Sequence, residues 1–153
     1  MTDRRRDAAD YDLDPTLDFM RLLWTIEHRL QRMSKRMERE IGITGPQRLV
    51  LRVVGQFPEI SAGELARVVR LHPSTITGIL QRLVTRGLIE RKADPGDTRR
   101  ARLRLKPPAL AHTKVSAGTI ERAVAAALDQ AGAANVRAAR KVLTAVAARL
   151  SES

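Results

Sequence analysis

The stretch from Ser61 to Lys106 constrains the fold of this chain most, because helical, turn and strand patterns follow one another closely within it. Ser61 and Glu64 have the spacing of a capping box, which predicts the start of a short helix. Pro73 predicts the start of a second helix, because proline fits the first helical position and disfavours a helical conformation in the residue before it. The pattern therefore predicts a helix–turn–helix.

The helix predicted from Pro73 has an apolar face and a polar face. Its apolar residues recur with helical spacing and are predicted to be buried: Ile76, Ile79, Leu80 and Leu83. Small hydroxyl side chains on the other face would let the helix lie close to a DNA major groove, where hydroxyl groups and arginine bond base edges or phosphates. The residues of this helix that we predict to contact DNA are Ser74, Thr75, Thr77 and Arg82.

A charged β-hairpin is predicted after this helix. Residues 88–92 have the composition of a strand, residues 94–97 are typical of a turn, and residues 100–105 alternate between arginine and apolar side chains. Arginines at the tip and on the outer face suit contact with a polyanion. The hairpin residues that we predict to contact DNA are Arg99, Arg100 and Arg102. Asp97 is predicted to hold an arginine in place. For the arginines of the hairpin, the alternative interpretation is a solvated strand face without a partner.

This segment resembles the winged helix–turn–helix core of the MarR family of bacterial transcriptional regulators. The resemblance rests on three motifs in the family's order, namely Ser74-Thr75-Ile76-Thr77, Gly87-Leu88-Ile89-Glu90-Arg91 and the D-x-R-R wing pattern Asp97-Thr98-Arg99-Arg100. It implies a homodimer that binds a pseudo-palindromic operator in double-stranded DNA. It also implies that the helix from Pro73 enters the major groove, with the wing beside the adjacent minor groove.

Long helices are predicted on both sides of this segment. The first begins at Pro15 and ends near Gly42, and its apolar residues repeat at alternating spacings of four and three, which is typical of a helix–helix seam. Two more are predicted from about Ala109 to Ala131 and from there to about Leu150, interrupted at Gly132. The predicted fold class is mainly α with a small β-hairpin wing (α+β), in which dimerisation helices flank a winged helix–turn–helix core.

The predicted domain organisation follows from these elements. Residues 44–106 form the DNA-binding lobe, and residues 13–42 and 107–151 form the dimerisation helices. Residues 1–12 form a mobile basic arm, whose arginines could reach a phosphate backbone; a tail without a specific role is the alternative.

Composition limits the other possible functions. The chain has 28 Lys+Arg against 17 Asp+Glu and a net charge of +11, which favours nucleic acid as a partner and an anionic membrane surface less strongly. It has no cysteine, no histidines at metal-ligand spacing, no nucleophile–base pair and no glycine-rich phosphate loop. We therefore predict no metal, no cofactor and no enzymatic activity. No apolar run approaches the ~20 residues of a membrane span, so we expect no membrane partner. The resemblance implies a bacterial DNA-binding regulator, and we therefore expect a cytoplasmic, nucleoid-associated protein.

The resemblance also implies a small effector, because family members often bind aromatic acids between the dimer helices and the DNA-binding lobe. Trp24 and His28 lie one turn apart on the first predicted helix, and Arg48 and Arg52 lie one turn apart on the next. An aromatic face with cations nearby could hold an aromatic carboxylate. In the alternative interpretation Trp24 is part of the core, His28 lies at a surface or interface, and both arginines face solvent.

These observations predict a sequence-specific, double-stranded DNA-binding transcriptional regulator, a homodimeric repressor modulated by a small ligand. Two alternatives remain open at this point. One is a ligand-independent DNA-binding or architectural protein, and the other is a winged-helix module for protein association.

Overall fold

The computed structural model describes residues 12–114 and 116–151, so the predicted basic arm lies outside the described residues apart from Asp12. The helices are α1 (Pro15–Ile41), α2 (Gly45–Gln56), α3 (Ala62–Val69), α4 (Pro73–Thr85), α5 (Ile120–Ala131) and α6 (Ala133–Ser151). Strands β1 (Ile89–Asp94) and β2 (Asp97–Leu105) form an antiparallel hairpin, and a short 3₁₀ helix (Pro107–His112) follows it. The predicted fold class, mainly α with a small hairpin wing, is confirmed.

Helices α1 to α4 begin where side chains can accept hydrogen bonds from the free amides of a first turn. Thr44 with Gln47 and Ser61 with Glu64 form complete capping boxes at the starts of α2 and α3. His72 caps α4 through Nδ1, which accepts a hydrogen bond from the Ser74 amide. The turn between α3 and α4 is therefore fixed by local hydrogen bonds at its helix ends.

One hydrophobic core holds α2, α3, α4 and the hairpin together as a lobe. Its fully buried side chains come from all four elements: Val50, Leu51, Leu65, Ile76, Leu80, Leu83, Ile89 and Leu103. The hairpin pairs Ile89 with Leu105 and Arg91 with Leu103, and the register shifts between Ala93 and Asp94 next to the tip. The Leu103 amide donates to the Ile60 carbonyl (3.0 Å), so β2 is also fastened to the chain entering α3.

The helix predicted from about Ala109 begins eleven residues later, at Ile120, and that prediction is corrected. Pro107 and Pro108 start a 3₁₀ helix that ends at His112, instead of an α-helix. Gly118 then has a φ of +78°, a left-handed conformation that breaks a right-handed helix and that glycine adopts easily. The break separates the hairpin exit from α5.

The flanking helices α1, α5 and α6 leave most of their apolar side chains exposed. Met37 is the only described residue of these three helices that is buried. An apolar groove runs between the first turns of α1 and the last turns of α6, and its lining includes Phe19, Leu23, Leu143 and Leu150. Among the described residues, no helix is long and apolar enough to cross a membrane.

Candidate nucleic-acid interface

The outer face of α4 presents the four side chains that the sequence predicted to contact DNA. Ser74, Thr75, Thr77 and Arg82 are all exposed, whereas the opposite face of the helix is buried in the lobe core. The Ser74 hydroxyl lies 2.7 Å from His72 Nδ1, and the Thr77 hydroxyl donates to the Pro73 carbonyl (2.9 Å). These two hydrogen bonds order the first turn of the helix and hold both hydroxyl groups close to its backbone.

Gly78 lies among these residues on the same face and adds no side chain to it. Apart from Gly78, its two chain neighbours and the nearby backbone of α4, no described heavy atom lies within 4 Å of the position that a Cβ at Gly78 would occupy. Arg82, one turn further along, has no ion pair with any residue that the structure describes, so its guanidinium is available to an external anion. The face can therefore approach a groove closely and place a cation at its edge.

Two of the wing arginines that are predicted to contact DNA, Arg100 and Arg102, form different ion pairs. Arg100 is exposed, and its Nε lies 3.6 Å from Asp97 Oδ2, an arrangement that fits the predicted role of Asp97. Arg102 forms a closer ion pair with Asp94 (2.9 Å) and contributes to ordering the turn. Hydrogen bonds from the Gly96 amide and from Arg102 lower the pKa of the Asp94 carboxyl, which therefore stays ionised. The side chain of Arg99 lies outside the described part of the chain.

The structure does not bring the four predicted effector residues into one site. Trp24 is 59% exposed, so it is not a core residue, and it shares an open groove on α1 with His28. Arg48 is only 1% exposed and hydrogen bonds to Glu121 Oε1 and Oε2, and Arg52 also lies near Glu121. The alternative that both arginines face solvent is wrong for Arg48.

Glu121, the partner of these arginines, could not be predicted from the sequence. Glu121 lies in the first turn of α5, where an acidic residue is favoured by the helix dipole in any case. An acidic residue at this position is therefore expected from the helix alone and does not by itself indicate a distant partner. Nothing local indicates a contact with Arg48, which lies 73 residues away along the chain.

His112, at the end of the 3₁₀ helix, is expected to make the stability of the folded chain depend on pH. Burial, and then the nearby cations Arg86 and Arg48, lower the pKa of its imidazole, so the folded chain disfavours protonated His112. The unfolded chain takes up this proton as the pH falls through about 6.5, so folding stability decreases with falling pH in that range. We expect His112→Gln to flatten the decline of the melting temperature between about pH 6.5 and pH 5.

His28→Gln is the matched control, because that imidazole is exposed on α1. Melting curves of the wild type and both variants, recorded at constant ionic strength, measure the effect. A His112→Gln variant with the same pH slope as the wild type would show that burial of this imidazole does not govern the acid side of stability.

A helix–turn–helix on one core, with a two-stranded wing after its second helix, defines a winged helix–turn–helix protein. Residues 41–100 match the sequence model of the MarR family. This match spans most of the lobe, and the resemblance to a MarR-family winged helix–turn–helix regulator inferred from the sequence is confirmed. The match supports a DNA-binding transcription regulator, and it also supports the prediction that the chain is not an enzyme.

Solved structures of several regulators are similar over most of the chain. The PcaV transcriptional regulator from Streptomyces coelicolor, in complex with its natural ligand, is 26% identical, with a TM-score of 0.71 and coverage of 90% of this chain and 96% of PcaV. MepR of S. aureus in complex with DNA is 18% identical, with a TM-score of 0.70 and coverage of 86% and 97%. A MarR variant from E. coli complexed with operator DNA is 23% identical, with a TM-score of 0.68 and coverage of 89% and 99%. No curated protein sequence matches the chain.

Proposed function

We propose that two copies of this chain form a sequence-specific repressor that binds a pseudo-palindromic site in double-stranded DNA. The observation that carries the proposal is the outer face of α4, where small polar side chains and Arg82 are exposed on a helix whose inner face is fully buried. A rigid helix of this kind can enter a major groove without reorganising the lobe. A repressor of this type acts in the cytoplasm, at the nucleoid.

The proposed DNA contacts divide between two elements. The residues proposed to contact bases and phosphates in the major groove are Ser74, Thr75, Thr77 and Arg82. The wing residues proposed to contact the backbone and the minor groove are Arg99, Arg100 and Arg102. Asp97 and Asp94 are proposed to order the arginines beside them. They are not proposed as DNA contacts, because phosphate would repel their carboxylates. Of Arg100 and Arg102, Arg100 has the longer ion-pair distance and is the better candidate for a phosphate contact.

The proposed dimer explains the exposed apolar surface of the flanking helices. A single chain leaves Leu143 and Leu150 of α6 exposed beside a groove that α1 does not close. An apolar groove along two helices fits a helix of a second copy, which would cover it as a layer of one shared core. Two lobes held in this way would have to present their α4 helices about 34–36 Å apart, one turn of DNA, to bind both half-sites.

A small aromatic acid is proposed as the effector, bound on α1. The groove that contains Trp24 and His28 also contains the cations Arg29 and Arg32, so an aromatic ring and a carboxylate could both find partners there. The natural ligand in the PcaV structure supports a ligand-responsive regulator. A thermal-shift screen of aromatic acids, followed by an assay of operator release, tests the proposal; hits that leave DNA bound would instead support ligand-independent binding.

Selection of bound sequences from random duplex DNA, followed by affinity measurements over a range of salt concentrations, tests DNA recognition. We expect an enriched site with two-fold symmetry. In Arg100→Ala, the slope of log affinity against log salt should become shallower by about 0.9 for each lost phosphate contact in each half-site. The matched control is Arg137→Ala, which removes the same charge from the exposed face of α6. Equal slopes in the two variants would reject the wing contact, and selection without enrichment would reject sequence-specific recognition.

A further inference from the structure

Arg48 is the only charged side chain that is buried among the residues the structure describes. Its Nε donates to Glu121 Oε1 at 2.7 Å and to Oε2 at 2.8 Å. Its Nη2 donates to the Lys114 carbonyl at 2.6 Å, and its Nη1 donates to the His112 carbonyl. All three nitrogens of the planar guanidinium are therefore occupied by acceptors that lie outside α2.

These acceptors belong to the part of the chain that leaves the lobe. Glu121 is in the first turn of α5, His112 is the last residue of the 3₁₀ helix, and Lys114 lies between that helix and α5. Arg52, one turn along α2, donates to the Thr113 carbonyl, and its Nε lies 3.9 Å from Glu121 Oε1. Of the ion pairs in residues 12–114 and 116–151, only those made by Glu121 connect the lobe to α5.

Glycines with a positive φ lie on both sides of the lobe. The two chain segments that connect the lobe to α1 and α5 each contain a glycine in a left-handed conformation, Gly42 at φ +72° and Gly118 at φ +78°. Where α1, α2 and α5 meet, the Gly45 amide donates to the Ser34 hydroxyl at 2.9 Å, and Gly45 lies against the end of Ile120. Packing brings the three helices together there, and the guanidinium of Arg48 adds directional hydrogen bonds from α2 to α5 and to the segment before it.

We propose that Arg48 and Glu121 are positioning residues that set the angle between the DNA-binding lobe and α5. The proposal rests on the proposed function, because the angle matters for DNA only if two lobes must match two half-sites. A buried ion pair contributes little net stability compared with an apolar replacement, whereas its fixed geometry can select one arrangement. The carboxylate near Arg48 and Arg52 comes from the chain itself. Arg48 and Glu121 therefore act by orienting the lobe and not by binding an effector.

The test measures the lobe-to-α5 distance within one chain. The chain contains no cysteine, so spin labels can be attached at Val68→Cys on α3 and Ala126→Cys on α5, two exposed positions. Labelled chains are diluted with unlabelled chains so that distances within a chain dominate. Glu121→Gln removes the charge and keeps the size of the side chain, and Asp129→Asn makes the same chemical change at an exposed position of the same helix.

We expect Glu121→Gln to broaden or shift the distance distribution and to weaken operator binding by about tenfold, as loss of a charged hydrogen bond would do. Dimer mass should be unchanged, and Asp129→Asn should behave as the wild type. Glu121→Asp keeps the charge and should restore part of the narrow distribution and part of the affinity. This variant also keeps the proposal testable if Glu121→Gln does not fold.

An unchanged distance distribution in Glu121→Gln and Glu121→Asp, with only a lower melting temperature, would overturn the positioning role and leave a purely structural ion pair. Failure of the wild type to bind any selected duplex would instead reject the proposed function. The distance measurement does not require DNA, so it would still decide whether Arg48 and Glu121 orient the lobe.

Discussion

Replacing Leu143 with glutamate is expected to make the chain monomeric and to lower its affinity for operator DNA by about 100-fold or more. Leu143 is 43% exposed and lines the apolar groove between α1 and α6 that we assign to the partner's helix. A carboxylate at this position would have to be buried without a cation in the proposed dimer, which strongly disfavours association. Separate lobes then lose the high effective concentration that links the two half-sites.

Ala145→Glu is the matched control, because it adds the same charge to the opposite face of α6. Sedimentation velocity reports the mass, and a binding titration on one selected duplex reports the affinity. The lobe of Leu143→Glu should keep its folded core, which a cooperative melting curve would show. A dimeric Leu143→Glu with wild-type affinity would show that this groove is not the interface.

Replacing Leu80 with alanine is expected to lower the free energy of unfolding by about 2–5 kcal/mol, the usual range for a leucine removed from a closed core. Leu80 is 0% exposed and lies on the inner face of α4, where it packs in the core shared by α2, α3 and the hairpin. The resulting cavity would lie directly behind the residues proposed to contact DNA. Affinity should therefore fall together with stability as the temperature approaches the lowered melting point.

Leu49→Ala is the matched control, because it removes the same atoms from a leucine that is 45% exposed on α2. Denaturant titration measures both free energies of unfolding, and an unchanged slope would confirm that the extent of unfolding is the same. Equal losses in the two variants would mean that the lobe core is not organised around the inner face of α4.

The lobe could be predicted from the sequence because its determinants are local. Ser61 with Glu64, and Pro73 after His72, fix helix starts through hydrogen bonds within three residues, and alternation fixes the faces of the hairpin. The start of α5 could not be predicted in the same way. The prediction takes Pro107 and Pro108 as the boundary back to α-helix, whereas these prolines begin a 3₁₀ helix and Gly118 has a left-handed φ before α5 starts.

The environment of Arg48 shows what local patterns cannot supply. An arginine on an amphipathic helix is usually predicted to be exposed to solvent. The residues near Arg48 in the sequence do not indicate that Glu121, on a distant helix, contacts it. Periodicity likewise identified apolar stripes on α1 and α6. It predicts that these stripes are buried, but it does not identify the helix or partner chain that buries them. Long-range pairing and the identity of a covering partner are properties of the assembled molecule.

The empty space around Gly78 has a consequence for how the recognition surface can change. A side chain added there meets no neighbour within 4 Å, and replacing a helical glycine with alanine is worth about 0.5–1 kcal/mol to the helix. New donors or acceptors could therefore be introduced on the outer face of α4 without disturbing the core beneath it. If α4 binds the operator as proposed, a substitution at this position would change operator preference while the fold keeps its stability.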